Sequence, residues 1–147
     1  MNIFPAQTDS EIARCFAVMA QLRPHLVSPE FVRQVRRLQG QGFHLAALED
    51  DGVVRAVAGY RFQEELLSGQ NLYVDDRVTD STHRSRGHGR RLLSWLVTEA
   101  RAHGCVQLEL DSGVQRFDAH RFYFRERMHV SAYHFVQPLT LKVASMV

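Results

Sequence analysis

The sequence predicts a mixed α/β fold around one sheet, and three observations lead there. Its 147 residues suit one domain and are too few to be comfortably two. Apolar residues recur with period 2 in some segments and near 3.6 in others. The two kinds of segment follow the order β-α-α-β-β-β-α-β-α-β, without repeats or linkers, so a single domain over 1–147 is expected. With 45% hydrophobic and 23% charged residues, a packed core is expected without disulfides or a structural metal.

Each element has its own local reason. Asn2-Ile3-Phe4 reads as a short strand, and Thr8-Asp9-Ser10-Glu11 supplies capping residues for a helix from about Ile12 to Leu22, ended by Pro24. Ser28-Pro29-Glu30 starts a second helix with an apolar stripe of Phe31, Val32, Val35 and Leu38, closed by Gly40 and Gly42. Phe43 to Glu49 and Val53 to Phe62 form a hairpin about the turn Asp50-Asp51-Gly52. A loop at Ser68-Gly69-Gln70 leads to a strand from Asn71 to Thr79. Leu92, Leu93, Leu96, Val97 and Ala100 mark one face of a long helix that ends at Gly104. Cys105 to Leu110 alternates as a strand, Val114 to Arg127 reads as a helix, and Val130 to Leu141 as a terminal strand.

Charge narrows the function. The net charge is +2, Lys142 is the sole lysine, and arginines gather at 84, 86, 90 and 91. No lysine upstream of Lys142 exists to form a Schiff base. A general nucleic-acid binder carries a broader basic surface with exposed aromatics between the cations. The local knot suits one compact anion. The two cysteines, Cys15 and Cys105, sit in apolar surroundings and read as buried, reduced thiols. No secretory leader pattern or stretch of membrane-span length is found, so a cytoplasmic protein is expected.

The chemistry concentrates in Arg84-Ser85-Arg86-Gly87-His88-Gly89-Arg90-Arg91, between a strand and a helix. Glycines at alternate positions let main-chain N–H groups turn toward one point, and the helix start adds unpaired N–H groups and a positive dipole end. A P-loop is excluded because no Gly-Lys-Ser/Thr ends the run. A Rossmann fingerprint fits poorly because the loop lies past mid-chain. His83 and His88 flank the loop without a zinc spacing, so no metal is expected.

Leu72-Tyr73-Val74-Asp75-Asp76-Arg77-Val78-Thr79, then Arg84-x-x-Gly87-x-Gly89 and a long helix, resembles the coenzyme-binding core of the GNAT family of N-acetyltransferases. Ala119-His120-Arg121-Phe122-Tyr123 resembles that family's second motif, and the element order also matches. Two departures stand out. Arg116 replaces the usual asparagine before the second motif, and Arg127-Met128 replaces the usual Gly-Phe after it.

The resemblance implies a single central mixed, mostly antiparallel sheet flanked by about four helices, and acetyl-CoA as donor. Main-chain groups of Val78 and Thr79 would pair with the pantetheine amides. N–H groups of Arg84, Ser85, Arg86, Gly87, His88, Gly89 and Arg90 would take the pyrophosphate. Tyr123 would protonate the departing thiolate, a role for which a phenol with a pKa near 10 is suited. Asp75 and Asp76 resemble the acidic pair of diamine acetyltransferases: one takes a proton from the amine and the other holds a cationic substrate, the assignment between them open. Adjacent strand residues face opposite ways, so only one would point squarely at the amine. Neither cysteine lies beside a plausible base, which favours direct transfer in a ternary complex.

The function that follows is acetyl transfer from acetyl-CoA to a primary amine of a small cationic molecule. A peptide N-acetyltransferase and a non-catalytic acyl-CoA-binding module are the rivals. The family's habit of pairing through C-terminal strands makes Val130 to Leu141 a dimer edge by the same resemblance.

Overall fold

In the computed structural model, which describes residues 1–141, the chain divides into two units, Met1–Leu110 and the residues from Asp111 onward. In the first unit, β1 (Asn2–Pro5), β2 (Phe43–Asp50), β3 (Val53–Glu65), β4 (Gly69–Thr79) and β5 (Gln107–Leu110) form one sheet in chain order. The first four pair antiparallel and β5 joins β4 parallel. A parallel neighbour needs a crossover. Helix α4 (His88–Ala102) lies in that connection.

The first predicted helix is present in two pieces, α1 (Asp9–Arg14) and α2 (Phe16–Leu22). Cys15 between them keeps right-handed helical angles, and its carbonyl accepts the Met19 N–H at 3.0 Å. Thr8 caps α1 as its sequence suggests: its Oγ1 accepts from the Glu11 N–H at 3.2 Å, while its own N–H donates to Glu11 Oε2 at 2.9 Å. Helix α3 (Ser28–Gln39) has its proline in the first turn.

Strand alternation divides the apolar side chains between the two sheet faces. Phe43, Leu45, Ala47, Val57 and Val78 pack with Ile12, Val18, Met19, Phe31 and Val35 from α1–α3. Ala46, Leu48, Ala58, Leu72 and Val74 pack with Leu92, Leu96 and Ala100 from α4. Fully burying Leu92 and Leu96 contributes about 1.5–3 kcal/mol each, which fixes the rotation of α4 and leaves Arg90 and Arg91 exposed.

Strict alternation would put Leu72, Val74 and Val78 on one face, yet Val78 packs opposite to the other two. The register gives the cause. Gly59 pairs with Asp76 and Tyr60 with Val74, so Asp75 has no ladder partner. This is a β-bulge, one extra residue that reverses the facing of everything after it.

In the second unit, α5 (Phe117–Arg125) is shorter than the predicted Val114 to Arg127. Its start is a turn in which the Arg116 N–H donates to the Gly113 carbonyl at 3.0 Å. Arg127 takes the left-handed conformation (φ 63), where the family's glycine would sit without strain. The terminal strand expected from Val130 to Leu141 is not formed. Its alternating apolar residues give strand potential, but a strand exists only where a neighbour accepts its main-chain hydrogen bonds, and Pro138 has no N–H to donate. Among the described residues no helix is long and apolar enough to cross a membrane.

Candidate active site

The parallel pairing of β5 with β4 runs from Asn71 to Val74 and stops at Leu110. From Asp75 to Thr79, β4 therefore has a ladder with β3 alone among the described residues. The Asp80 N–H donates to the Arg55 carbonyl at 2.7 Å, which fixes the alternation of that ladder. Counting back, the main-chain groups of Val78 turn toward β3 and those of Arg77 and Thr79 turn to the other edge. This corrects the expectation for Val78, whose side chain is core and whose main chain faces β3, and keeps Thr79 at the edge.

Beyond Thr79 the chain is held by Asp80, which is buried. Its carboxylate accepts from Arg55 at 3.0 Å, Gln21 at 3.2 Å, and the Thr82 N–H at 3.2 Å. Burial pushes its pKa up, but these hydrogen bonds outweigh it and hold the carboxyl well below its usual range. A single 3-10 turn, Ser81–His83, follows, a feature the sequence reading missed. Arg84 is extended, Ser85 is left-handed (φ 64), and Gly87 is left-handed (φ 82) at the N-cap of α4.

The Arg91 N–H makes the first intrahelical bond, to the Gly87 carbonyl at 3.0 Å. The N–H groups of His88, Gly89 and Arg90 precede it, and no side chain caps the helix. Arg84, Arg86, Arg90 and Arg91 are exposed around this end. Main-chain donors at the helix start, the dipole and exposed cations together suit a multiply charged phosphate. Gly89 lies inside the helix, so only Gly87 of the two glycines supplies a left-handed turn. The His88 side chain is turned inward: it is 1% exposed, and its Nε2–H donates to Asp50 Oδ2 at 3.1 Å. It ties the loop to the end of β2, an anchoring role the sequence did not suggest.

The bulge changes the acidic pair. Asp75 Oδ2 accepts from Arg61 Nε at 2.8 Å, and Asp76 Oδ1 from Arg23 Nε at 2.8 Å. Arg61 lies over the Phe43 ring, and Asp76 lies against Gly59, two residues from Arg61 on the same strand. Both carboxylates thus stand on the α1–α3 face, contrary to the expectation that adjacent residues face opposite ways. Burial raises the Asp75 pKa above its ordinary value, with the Asp76 charge adding to it against the pull of Arg61 and Arg23. Arg23 Nη2 also donates to the Asp75 carbonyl at 3.3 Å, a group the bulge removes from the ladder. Arg23 and Arg61 were missed. Gly59 in mid-strand was the available signal, since a Cβ there would lie 2.4 Å from the Phe43 ring and 3.0 Å from Asp76 Oδ2.

Tyr123 lies on α5 in the second unit, half-buried, with its ring edge-on to Phe122 at 5.5 Å. Arg116 stands at the N-cap without a side-chain bond, where asparagine would cap well. Among the described residues no three His, Cys, Asp or Glu side chains gather to hold a metal ion.

The family model described as "Acetyltransferase (GNAT) family" matches residues 10–129. The chain is 33% identical over 114 residues to an uncharacterized N-acetyltransferase, YhdJ, of Bacillus subtilis, covering 77% of this chain and 80% of that one. It is 41% identical over 66 residues to the aminoalkylphosphonate N-acetyltransferase of Salmonella typhimurium, covering 45% of this chain and 43% of that one. The fold is similar to that of the aminoglycoside N-acetyltransferase AAC(6')-Iy in complex with CoA, at TM-score 0.82 and 13% identity over 95% of both chains. It is also similar to the ribosomal-protein-alanine N-acetyltransferase of Brucella melitensis, at TM-score 0.81 and 15% identity over 95% of this chain and 100% of that one.

Proposed function

This chain belongs to the acetyltransferase (GNAT) family and is an acetyl-CoA-dependent acyltransferase; we propose that it acts as one domain and acetylates the primary amine of a small molecule by direct attack. The observation that carries this reading is the β4 edge past Val74, where among the described residues the pairing with β5 stops and the strand runs from the bulge at Asp75 to the arginine-ringed start of α4. The span from Thr79 to Asp75 is roughly 14 Å of extended strand, room for an arm anchored at one end to deliver a thioester to the other. Thr79 would pair with the arm through its main chain. The N–H groups of the loop and of His88, Gly89 and Arg90 would hold the pyrophosphate.

A free alkylamine is mostly protonated at neutral pH, with a pKa about 10.4, and must lose a proton before it attacks. Asp75 takes that proton, directly or through water; its raised pKa makes it a stronger base than an exposed aspartate. The neutral nitrogen adds to the thioester carbonyl, the C–N bond forms and the C–S bond breaks. Tyr123 would give its phenolic proton to the departing thiolate and be restored by the second proton that the nitrogen sheds as it becomes an amide. Acylation of a cysteine is disfavoured, since burial pushes the Cys15 thiol up to about 12 and also raises that of Cys105.

The names of the aminoalkylphosphonate and aminoglycoside relatives support a small-molecule acceptor. Tyr133, Phe135, Leu139 and Leu141 are exposed and fit pairing with a second copy. The test is thiol release from acetyl-CoA across a panel of small amines and peptides. Release with small amines is expected, and release with peptides alone would defeat the small-molecule reading.

A further inference from the structure

Two guanidinium groups and two carboxylates share the α1–α3 face at the bulge, each Arg–Asp contact at 2.8 Å. Their charges sum to zero. A diamine entering there would meet no net negative charge to offset its loss of hydration, whereas a group carrying both signs would meet both partners.

The donors are not used up by the pairs. Arg23 spends Nε on Asp76 and Nη2 on the Asp75 carbonyl, and Arg61 spends Nε on Asp75 and Nη1 on the Gln41 carbonyl. Among the described residues, Arg23 Nη1 and Arg61 Nη2 carry no hydrogen bond. The Arg23 side chain is 43% exposed and that of Arg61 26%, against 18% and 21% for the aspartates they hold. Solvent therefore reaches the cations more freely than the anions. Phe43 beneath Arg61 and the main-chain bonds of both arginines hold the two forks in place. A planar fork with spare N–H groups is matched to a carboxylate, phosphate or phosphonate oxygen pair.

We infer that the acceptor is a zwitterion, a primary amine joined by a short chain to an anionic group, with Arg23 and Arg61 as the specificity-determining residues that receive the anion. The inference rests on the acetyltransferase reading and deepens it. The amine is turned toward Asp75, where it loses its proton, and the anion toward the spare guanidinium N–H groups. The arrangement rejects a diamine, which would set its second ammonium against a guanidinium.

The probe is a matched set with one chain length: 3-aminopropylphosphonate, 1,3-diaminopropane and propylamine, assayed by thiol release. The readout is the ratio of kcat/KM for the phosphonate to that for the diamine, which cancels any loss of folded enzyme. The wild-type ratio should exceed roughly tenfold, and Arg23→Gln and Arg61→Gln should each lower it by roughly ten- to hundredfold, the range for a lost hydrogen bond to a charged group. Arg23→Lys and Arg61→Lys keep the charge and should restore part of the ratio. A wild-type ratio below one, or a ratio unmoved in both glutamine variants, overturns the zwitterion while leaving the acetyltransferase standing. Thiol release with none of the three acceptors nor any other amine takes down both.

Discussion

Asp75 and Asp76 are neighbours in different settings. Asp75 is the unpaired bulge residue with a raised pKa, and Asp76 sits in the ladder against Gly59. Asp75→Asn should lower kcat by about 10²-fold or more with a smaller change in amine KM, the range for a lost general base, as steady-state kinetics would read. On the proposed mechanism the acidic limb of the kcat/KM profile should report Asp75, which must be ionised to accept a proton. Because Asp76 raises the Asp75 pKa, Asp76→Asn should move that limb to lower pH; a move to higher pH would contradict the assignment. Tyr123→Phe should lower turnover by about 10²-fold or more and leave the CoA affinity within about twofold. Both aspartates and Tyr123 were legible as a motif. Their surroundings were not, because Arg23 comes from the end of α2 and Arg61 from β3, and only folding brings them to the pair.

At the scale of elements, the bulge and the turn into α4 position everything else. Gly59→Ala would drive a methyl group into the Phe43 ring and toward Asp76, and should destabilise the protein by about 1–3 kcal/mol in urea melts. Gly87 needs its left-handed angles, so Gly87→Ala should cost about 1–2 kcal/mol and weaken CoA binding as well. Asp80 holds the segment between them. Its pKa falls on folding from an ordinary 3.8, so its stabilisation is present above that value and is lost as the pH falls into strong acid. Asp80→Asn should therefore cost about 1–3 kcal/mol at pH 7, with the gap to wild type closing as the pH drops below about 4. Helix starts and the hairpin could be read locally from Thr8, Pro29 and Asp50-Asp51-Gly52. The bulge could not, since it is a property of register between two strands. The terminal strand was misread for the same reason: alternation in Val130 to Leu141 signals a strand only where another edge receives it.

At the scale of the whole molecule, the proposed reading puts a seat for an anion just beyond the end of β4 and a proton acceptor at the bulge in the middle of that strand. Similarity to solved acetyltransferases extends over 95% of the chain while identity stays near 13–15%, so the architecture persists through wide change in sequence. Light scattering should find a dimer whose population rises with concentration, and a monomer at all concentrations would remove the role of the exposed tail. Titration calorimetry of the purified protein with CoA bears most directly on the seat. Saturable one-to-one binding, weakened by Gly87→Ala and by Arg84→Ala with Arg86→Ala, is the outcome the account requires. An absence of heat up to millimolar CoA would contradict it.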